Sequence, residues 1–176
     1  LVSALIDDSR TSDPAQWRTD LESALDINQY LKYLAANTVI ANWDTYGKMT
    51  HNYFLYANPA DGKINWIPWD NNEALTSTGP MSPLDIDFGN LTNTNPASDG
   101  THTWPMIEYI YGDATYKTMY DGYIDDFLAT TFDVSSMTTR LTDAHTLVEP
   151  YVIGTDGEIS GHTFVNSSSD FTNALT

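Results

Sequence analysis

Apolar residues in the first quarter of the chain recur at helical spacing. Residues 1–25 form two short amphipathic pieces on either side of a polar break at Asp7–Pro14, which predicts two short helices. A stronger signal follows, because Asp26 and Gln29 have capping-box spacing and apolar residues then recur every three or four positions as far as Ala41. This pattern predicts a helix from about residue 26 to residue 41.

The pattern changes to short aromatic and β-branched runs at Asn52. The runs NYFLY and INWIPW flank the turn-rich segment NPADGK, which is typical of a β-hairpin. Pro68 lies near the end of the second run, so that run suits an edge or terminal position. Residues 76–103 are rich in Thr, Asn, Ser, Gly and Pro without periodicity, and they predict a long loop.

Helical spacing returns in the C-terminal half of the chain. It predicts helices over 104–111, over a segment opened by Asp113, over 134–148 with its apolar side chains facing inward, and at SSSDFTNAL. The segment GTDGEISG predicts a turn-rich break. The whole pattern predicts an α+β fold that is mostly helical, carries a small β-hairpin, and forms a single domain over 1–176.

Composition indicates a globular chain and limits its partners. The 176 residues are 41% hydrophobic and 12% aromatic, which is enough to fill a core. Seven Lys and Arg against 24 Asp and Glu give a formal charge of −17. The scarcity of basic residues argues against a nucleic-acid or anionic-membrane surface, and no apolar run is long enough for a transmembrane segment. An acidic protein that handles phosphates would need divalent cations, although such acidity is equally typical of a salty or extracellular habitat.

The predicted hairpin brings polar residues together at its open end. Asn52 opens the first strand and Asp70 closes the second, so antiparallel pairing places them at the same open end, and Asp44 lies in the loop that leads into the first strand. Two carboxylates and an amide oxygen form a hard oxygen site that suits Mg²⁺ or Mn²⁺. The order Asp, Asn, Asp parallels that of protein kinases, although the first spacing is longer than in their ordinary signature.

The run LDINQYLKYLAANTVIANWDTYG, with HNYFLY and WIPWDNNEAL after it, resembles the central block of the CotH kinase family, the atypical kinases of the spore coat. The later run WPMIEYIYGDATYKTMYDGYIDDFL resembles the C-terminal helices of that family. The resemblance implies the C-terminal lobe of an atypical protein-kinase-like fold, with the metal site on the hairpin. No glycine-rich loop and phosphate-binding Lys precede Asp26, so we expect this chain to lack the N-terminal lobe and to be inactive alone.

The resemblance also implies roles for individual residues. Asp44 is expected to orient or deprotonate an acceptor hydroxyl, Asn52 and Asp70 to bind Mg²⁺ or Mn²⁺ with ATP, and Asn72 to be a lesser ligand. Lys48 is a candidate for contact with the transferring phosphate from its position alone. The implied function is metal-dependent transfer of the ATP γ-phosphate to a protein Ser or Thr, in a secreted or spore- or cell-surface bacterial protein.

Two other functions are compatible with the same residues. The first is a non-catalytic extracellular or surface-assembly module that retains the fold. The second is nucleotidyl transfer, in which a kinase-like site uses ATP in another orientation.

Several of these residues also have a plainer structural explanation. Asp44 and Asp70 can cap turns, and Asn52 can simply begin a strand. His51 is expected to pack and to orient the loop instead of acting as a base. Three tryptophans near the hairpin belong either to the core or to a stacking platform for a base or sugar: Trp43, Trp66 and Trp69.

Overall fold

The computed structural model describes residues 1–75, 104–154, 157, 165 and 167–175. Contacts divide the chain into two compact units, Leu1–Phe127 and Leu128–Thr176. The described residues are mostly helical with one small antiparallel sheet, as the sequence predicts. The elements in chain order are α1 (Val2–Leu5), α2 (Ser9–Ser12), α3 (Pro14–Ala24), α4 (Ile27–Val39), β1 (Tyr53–Ala57), β2 (Ile64–Pro68), α5 (Pro105–Gly112), α6 (Ala114–Ala129), α7 (Val134–Val152) and α8 (Ser168–Asn173).

The N-terminal break is more ordered than the sequence predicts. It contains α2, whose first turn is stabilised by the Asp7 carboxylate, which accepts a hydrogen bond from the Ser9 N–H at 2.9 Å. Asp13 then caps α3 by accepting from the Gln16 N–H at 3.2 Å, and Pro14 takes the first helical position, where its missing N–H has no intrahelical partner to lose. The polar residues of the break therefore stabilise the starts of two helices.

Helix α4 has the most buried residues of the described helices, and its start is bonded to the hairpin. The Asp26 carboxylate accepts from the Gln29 N–H at 3.0 Å, which confirms the predicted cap. The reciprocal half of the capping box is replaced by contacts with β2: the Asp26 N–H donates to the Ile64 carbonyl at 2.9 Å, and the Gln29 side-chain oxygen accepts from the Trp66 N–H at 2.9 Å. The N-terminal hydrogen bonds of α4 thus fix β2 against it.

The two strands form the predicted antiparallel hairpin. Its register pairs Tyr53 with Pro68 and Ala57 with Ile64. Pro68 lies at the strand end, where its missing N–H costs the ladder least. Most side chains of β1 are exposed, whereas Trp66 of β2 is buried.

A cage of tyrosine rings surrounds the Trp66 indole, which is only 1% exposed. Its ring centroid lies 5.3 Å from that of Tyr30, 5.4 Å from those of Tyr33 and Tyr46, and 4.2 Å from that of Tyr53. Because Tyr30 and Tyr33 belong to α4 and Tyr46 to the following loop, one side chain joins hairpin, helix and loop. Aromatic pairs at these separations add stabilisation beyond burial alone.

Helix α6 contributes to the same core cluster. Asp113 caps it by accepting from the Thr115 and Tyr116 N–H groups at 3.0 and 3.1 Å. Tyr116 and Tyr120 are buried, and the Tyr120 hydroxyl donates to the Thr38 hydroxyl of α4 at 2.9 Å. This face of α6 therefore belongs to the core of the first unit.

In the second unit, helix α7 runs past the predicted end to Val152. Asp133 caps it by accepting from the Ser135 and Ser136 N–H groups. The expectation that its apolar residues face inward is wrong for Leu141, Leu147 and Val148, which are exposed. Within the described part of this unit, α8 is the one other complete helix available to cover them, and its Phe171 ring stacks on His145 at 3.9 Å.

Two of the predicted segments lie wholly or mostly outside the described residues. The loop predicted over 76–103 lies outside the described residues, as does most of the predicted break at GTDGEISG. Among the helices that are described, none has both the length and the apolar character to cross a membrane.

The tyrosine cage predicts that Trp66→Ala destabilises the first unit by about 3–5 kcal/mol, because it removes a fully buried aromatic ring and leaves a cavity. Trp69→Ala is the matched control, since Trp69 is 60% exposed just beyond the same strand and should cost less than about 1.5 kcal/mol. Urea unfolding followed by circular dichroism measures both. Equal losses would contradict the assignment of Trp66 as the core residue.

Burial also predicts alkaline instability. Burial raises the pKa of Tyr46 to about 12, and it raises that of Tyr120 to about 12, against about 10 in an unfolded chain. The fold favours the neutral phenols, so their contribution is fully present below about pH 10 and is lost as the pH rises through 12. The thermal midpoint should fall over this interval together with the rise of phenolate absorbance. Tyr46→Phe should flatten the fall, and an unchanged slope would contradict the assignment.

Candidate functional site

The loop after α4 is tied into the core immediately beyond Asp44. Thr45 is 2% exposed, and its hydroxyl lies 3.0 Å from that of Tyr33. The Tyr46 ring packs edge-on to Trp104 at 4.9 Å, and its hydroxyl accepts from the Met106 N–H at 3.3 Å. The backbone that carries Asp44 is consequently held from its C-terminal side.

The Asp44 carboxylate is held by the residues that end the same loop. The Asn52 amide nitrogen donates both to the Asp44 carbonyl oxygen and to its Oδ2, each at 2.9 Å. His51 Nε2 lies 2.6 Å from Asp44 Oδ1. The Asp44 side chain is 17% exposed and that of His51 is 51% exposed. His51 therefore sits between Asp44 and solvent, and a contact of this kind suits a residue that orients the loop.

These two bonds determine how the Asn52 amide is oriented. Both Asp44 atoms that it contacts are acceptors, so the NH₂ group must face them. Asn52 Oδ1 therefore points elsewhere, and it makes no hydrogen bond to another residue in the described ranges. An amide oxygen left in this state is a hard ligand for a divalent cation.

Asp70 lies beside Asn52 at the open end of the hairpin. The Trp69 N–H donates to the Asn52 carbonyl at 3.1 Å, which extends the pairing of the strands by one step. Asn52 and Asp70 both have left-handed backbones, with φ of 61° and 52°. Asn and Asp adopt this conformation more readily than other residues that carry a Cβ. The exposed Asp70 carboxylate makes no hydrogen bond to any part of the chain that the structure describes.

The structure does not bring Lys48 or Asn72 into hydrogen-bond contact with this group. The Lys48 N–H donates to the Thr45 carbonyl at 3.1 Å within a turn, and Asn72 is exposed in the turn after Asp70. Neither side chain has a hydrogen-bond or ionic partner within the described ranges. The two residues stay candidates by position alone.

An amide oxygen and a carboxylate at this end of the hairpin are candidate ligands for a divalent cation. Asn52 Oδ1 and Asp70 supply the hard oxygen atoms that magnesium and manganese prefer. No group of three or more His, Cys, Asp or Glu that could hold a metal occurs among the described residues. A metal here would therefore complete its coordination with water or substrate oxygens, as magnesium commonly does.

The three tryptophans considered from sequence fall into different environments. Trp66 is core, Trp43 is partly buried, and Trp69 is exposed with its ring 5.8 Å from that of Phe54. Trp69 is thus the one of the three with an open ring surface beside Asp70.

Two residues in this region were missed by sequence reasoning, Asn42 and Asn71. Asn42 is buried two positions before Asp44, and its amide is bonded to Asn71, the residue after Asp70. The available signal was an Asn between an apolar helix and a turn, which sequence alone does not distinguish from a solvent-exposed cap.

Comparison with known proteins gives consistent matches. A family model described as CotH kinase protein matches residues 2–175. The inner spore coat protein H of Bacillus subtilis (strain 168) is 20% identical over 143 residues, which cover 81% of this chain and 36% of that protein. The chain therefore spans about a third of the length of this relative. No solved structure matches the chain.

The Asn52 geometry predicts separate costs for its backbone and its side chain. Asn52→Gly loses the two bonds to Asp44 but keeps the left-handed backbone without strain, so we expect a loss of about 1–2 kcal/mol. Asn52→Ala loses the same bonds and adds about 1 kcal/mol of backbone strain. Denaturant unfolding of both variants measures the difference. An Ala variant as stable as the Gly variant would contradict the left-handed assignment.

Proposed function

Since the chain belongs to the CotH kinase protein family, we propose that it forms the acceptor- and metal-binding part of an atypical protein kinase. In this proposal the first unit corresponds to the C-terminal lobe of a kinase-like fold. The reaction is transfer of the ATP γ-phosphate to a Ser or Thr hydroxyl of a protein. Because the chain spans only part of its relative, the proposal concerns the full-length gene product.

The observation that carries the proposal is the pair of hydrogen bonds that the Asn52 amide donates to Asp44. It joins the loop Asp to the Asn that precedes β1, and the Trp69–Asn52 pairing brings Asp70 to the same end of the hairpin. Protein kinases use an Asp, an Asn and a second Asp in this order for the acceptor and the metal. The contacts supply a physical reason for grouping these three residues that does not depend on their spacing.

Asp44 is the proposed base that orients the acceptor. Its two oxygens accept from His51 and Asn52, but each carboxylate oxygen has a second lone-pair site, so a substrate hydroxyl can still donate to it. The hydroxyl oxygen then forms a bond to the γ-phosphorus as the bond to the β,γ-bridging oxygen breaks, and ADP leaves. The hydroxyl proton passes to Asp44.

Asn52 Oδ1 and the Asp70 carboxylate would hold Mg²⁺ or Mn²⁺, and the bound cation would offset the charge of the ATP phosphates. In a chain with a formal charge of −17, that offset would reduce the repulsion between the protein and the ATP phosphates. Asn72 and Lys48 are secondary candidates for the same phosphates. Trp69 is not assigned a role.

The relative's name suggests where the protein works. That protein is an inner spore coat protein, so we propose that this one also acts in a spore coat or another surface assembly. A non-catalytic assembly module is the second candidate. It is favoured by the same name, which describes a component of the coat.

The test uses the full-length gene product with Mn²⁺ or Mg²⁺ and ATP labelled on the γ-phosphate. Asp70→Ala should lower label transfer at least about 100-fold, because it removes one of the two proposed metal ligands. The matched control is Asp61→Ala, which removes an exposed Asp in the turn at the other end of the same hairpin and should change transfer less than about twofold.

The outcomes separate the candidates. Transfer that is lost in Asp70→Ala and kept in Asp61→Ala supports the kinase. A wild-type protein that transfers no label but still binds Mn²⁺ supports the assembly module. A modified protein whose intact mass has increased by the mass of an AMP group, and not by that of a phosphate group, would show nucleotidyl transfer instead of phosphoryl transfer.

A further inference from the structure

Asn42 is a buried amide at the point where the loop leaves α4. It is only 2% exposed, among three polar residues buried in the described part of the chain. Ala41 before it has a left-handed backbone with φ of 53°, which turns the chain sharply out of the helix. A polar side chain in such a place needs specific partners, because leaving it unpaired costs about 1–3 kcal/mol.

Both ends of the Asn42 amide are used, and they reach different segments. Oδ1 accepts from the Asp44 N–H at 3.3 Å. Nδ2 donates to Asn71 Oδ1 at 2.9 Å. One side chain therefore links the loop that carries Asp44 to the segment that begins with Asp70.

The same residue is anchored to α4 through its backbone. The Asn42 N–H donates to the Asn37 carbonyl at 3.1 Å, and Asn37 Nδ2 donates back to the Asn42 carbonyl at 2.9 Å. A second bond joins the two segments nearby, from the Leu75 N–H to the Ile40 carbonyl at 2.8 Å. The link thus starts from a rigid helix and not from a free loop.

The side-chain chemistry required at position 42 is narrow. It must present an acceptor to Asp44 and a donor to Asn71 within one short planar group, which an amide does and a carboxylate does not. At position 71 the requirement is only for an acceptor oxygen on an exposed residue. This difference makes Asn71 the better position for mutation, since it can be changed without opening the core.

We propose that Asn42 and Asn71 are positioning residues that fix Asp44 relative to Asp70. The effect on catalysis rests on the proposed kinase function. The hydrogen bond between Asn42 and Asn71 is independent of that function. Asn42 and Asn71 are assigned no contact with substrate or metal. Their effect is to hold the proposed base and the proposed metal ligand in one geometry, and a misplacement of about 1 Å in such a pair can cost about 100-fold in rate.

The first experiment measures kinetics of the full-length gene product at saturating metal. Asn71→Ala removes the acceptor and should lower kcat about 10- to 100-fold, with less than a threefold change in the KM for ATP. Asn71→Asp retains an acceptor for Asn42 Nδ2 and should keep kcat within about threefold of wild type.

Asn28→Ala is the matched control for the kinetics. Asn28 is exposed on α4, and its Oδ1 accepts from the Tyr123 hydroxyl at 3.0 Å, so the variant removes one bond of the same class far along the helix. It should leave kcat unchanged. An Asn71→Ala enzyme with wild-type kcat, or an Asn71→Asp enzyme as slow as Asn71→Ala, would overturn the proposal.

The second experiment reads the link without any activity. Amide hydrogen exchange at the Asp44 N–H, followed by NMR, should be at least about tenfold faster in Asn71→Ala and unchanged in Asn71→Asp and Asn28→Ala. An unchanged global unfolding midpoint would show that the effect is local. Equal exchange rates of the Asp44 N–H in the wild type and all three variants would contradict the proposed role of Asn71. A wild-type protein that transfers no phosphate but shows the predicted exchange pattern would reject the kinase function and retain the link.

Discussion

The packing of the Trp66 indole is the interaction on which the first unit depends. Tyrosines from α4, from the loop after it and from β1 all touch this one ring, so these elements are held by a shared contact. A two-stranded hairpin is marginal by itself. Here the burial of Trp66 and the bond from the Trp66 N–H to Gln29 attach it to a helix, and the open end of the hairpin is thereby positioned beside the loop that carries Asp44.

Hydrogen bonds between polar side chains then fix the detailed geometry of the loop and hairpin that the aromatic core brings together. Asn52 bonds to Asp44 and Asn42 bonds to Asn71, so each half of the candidate site is tied to the other by an amide. Such bonds contribute modestly to stability, but they specify one arrangement among several that a hydrophobic core alone would allow. Geometry in the site therefore depends on asparagines more than on charged residues.

The elements with strong periodicity could be predicted from the sequence. Helix α4 and the hairpin were, because a capped apolar stripe and two aromatic runs around a turn leave few alternatives. The hairpin also predicted that Asn52 and Asp70 lie at the same end, and the loop leading into its first strand placed Asp44 near them. What the pattern does not contain is pairing between distant side chains. Gln29 was expected to close its own cap and instead bonds to β2, and nothing local distinguishes the buried Asn42 from an exposed cap.

The left-handed backbones at the hairpin's open end also have an evolutionary consequence. Asn52 and Asp70 occupy a conformation that Gly, Asn and Asp tolerate and other residues resist. Selection for folding alone would therefore tend to preserve these two residue types in a lineage that had abandoned catalysis. Asp44 is not among the residues with positive φ, so drift can replace it without this backbone cost. Within such a lineage, the identity of Asp44 would record the loss of chemistry better than that of Asn52 or Asp70.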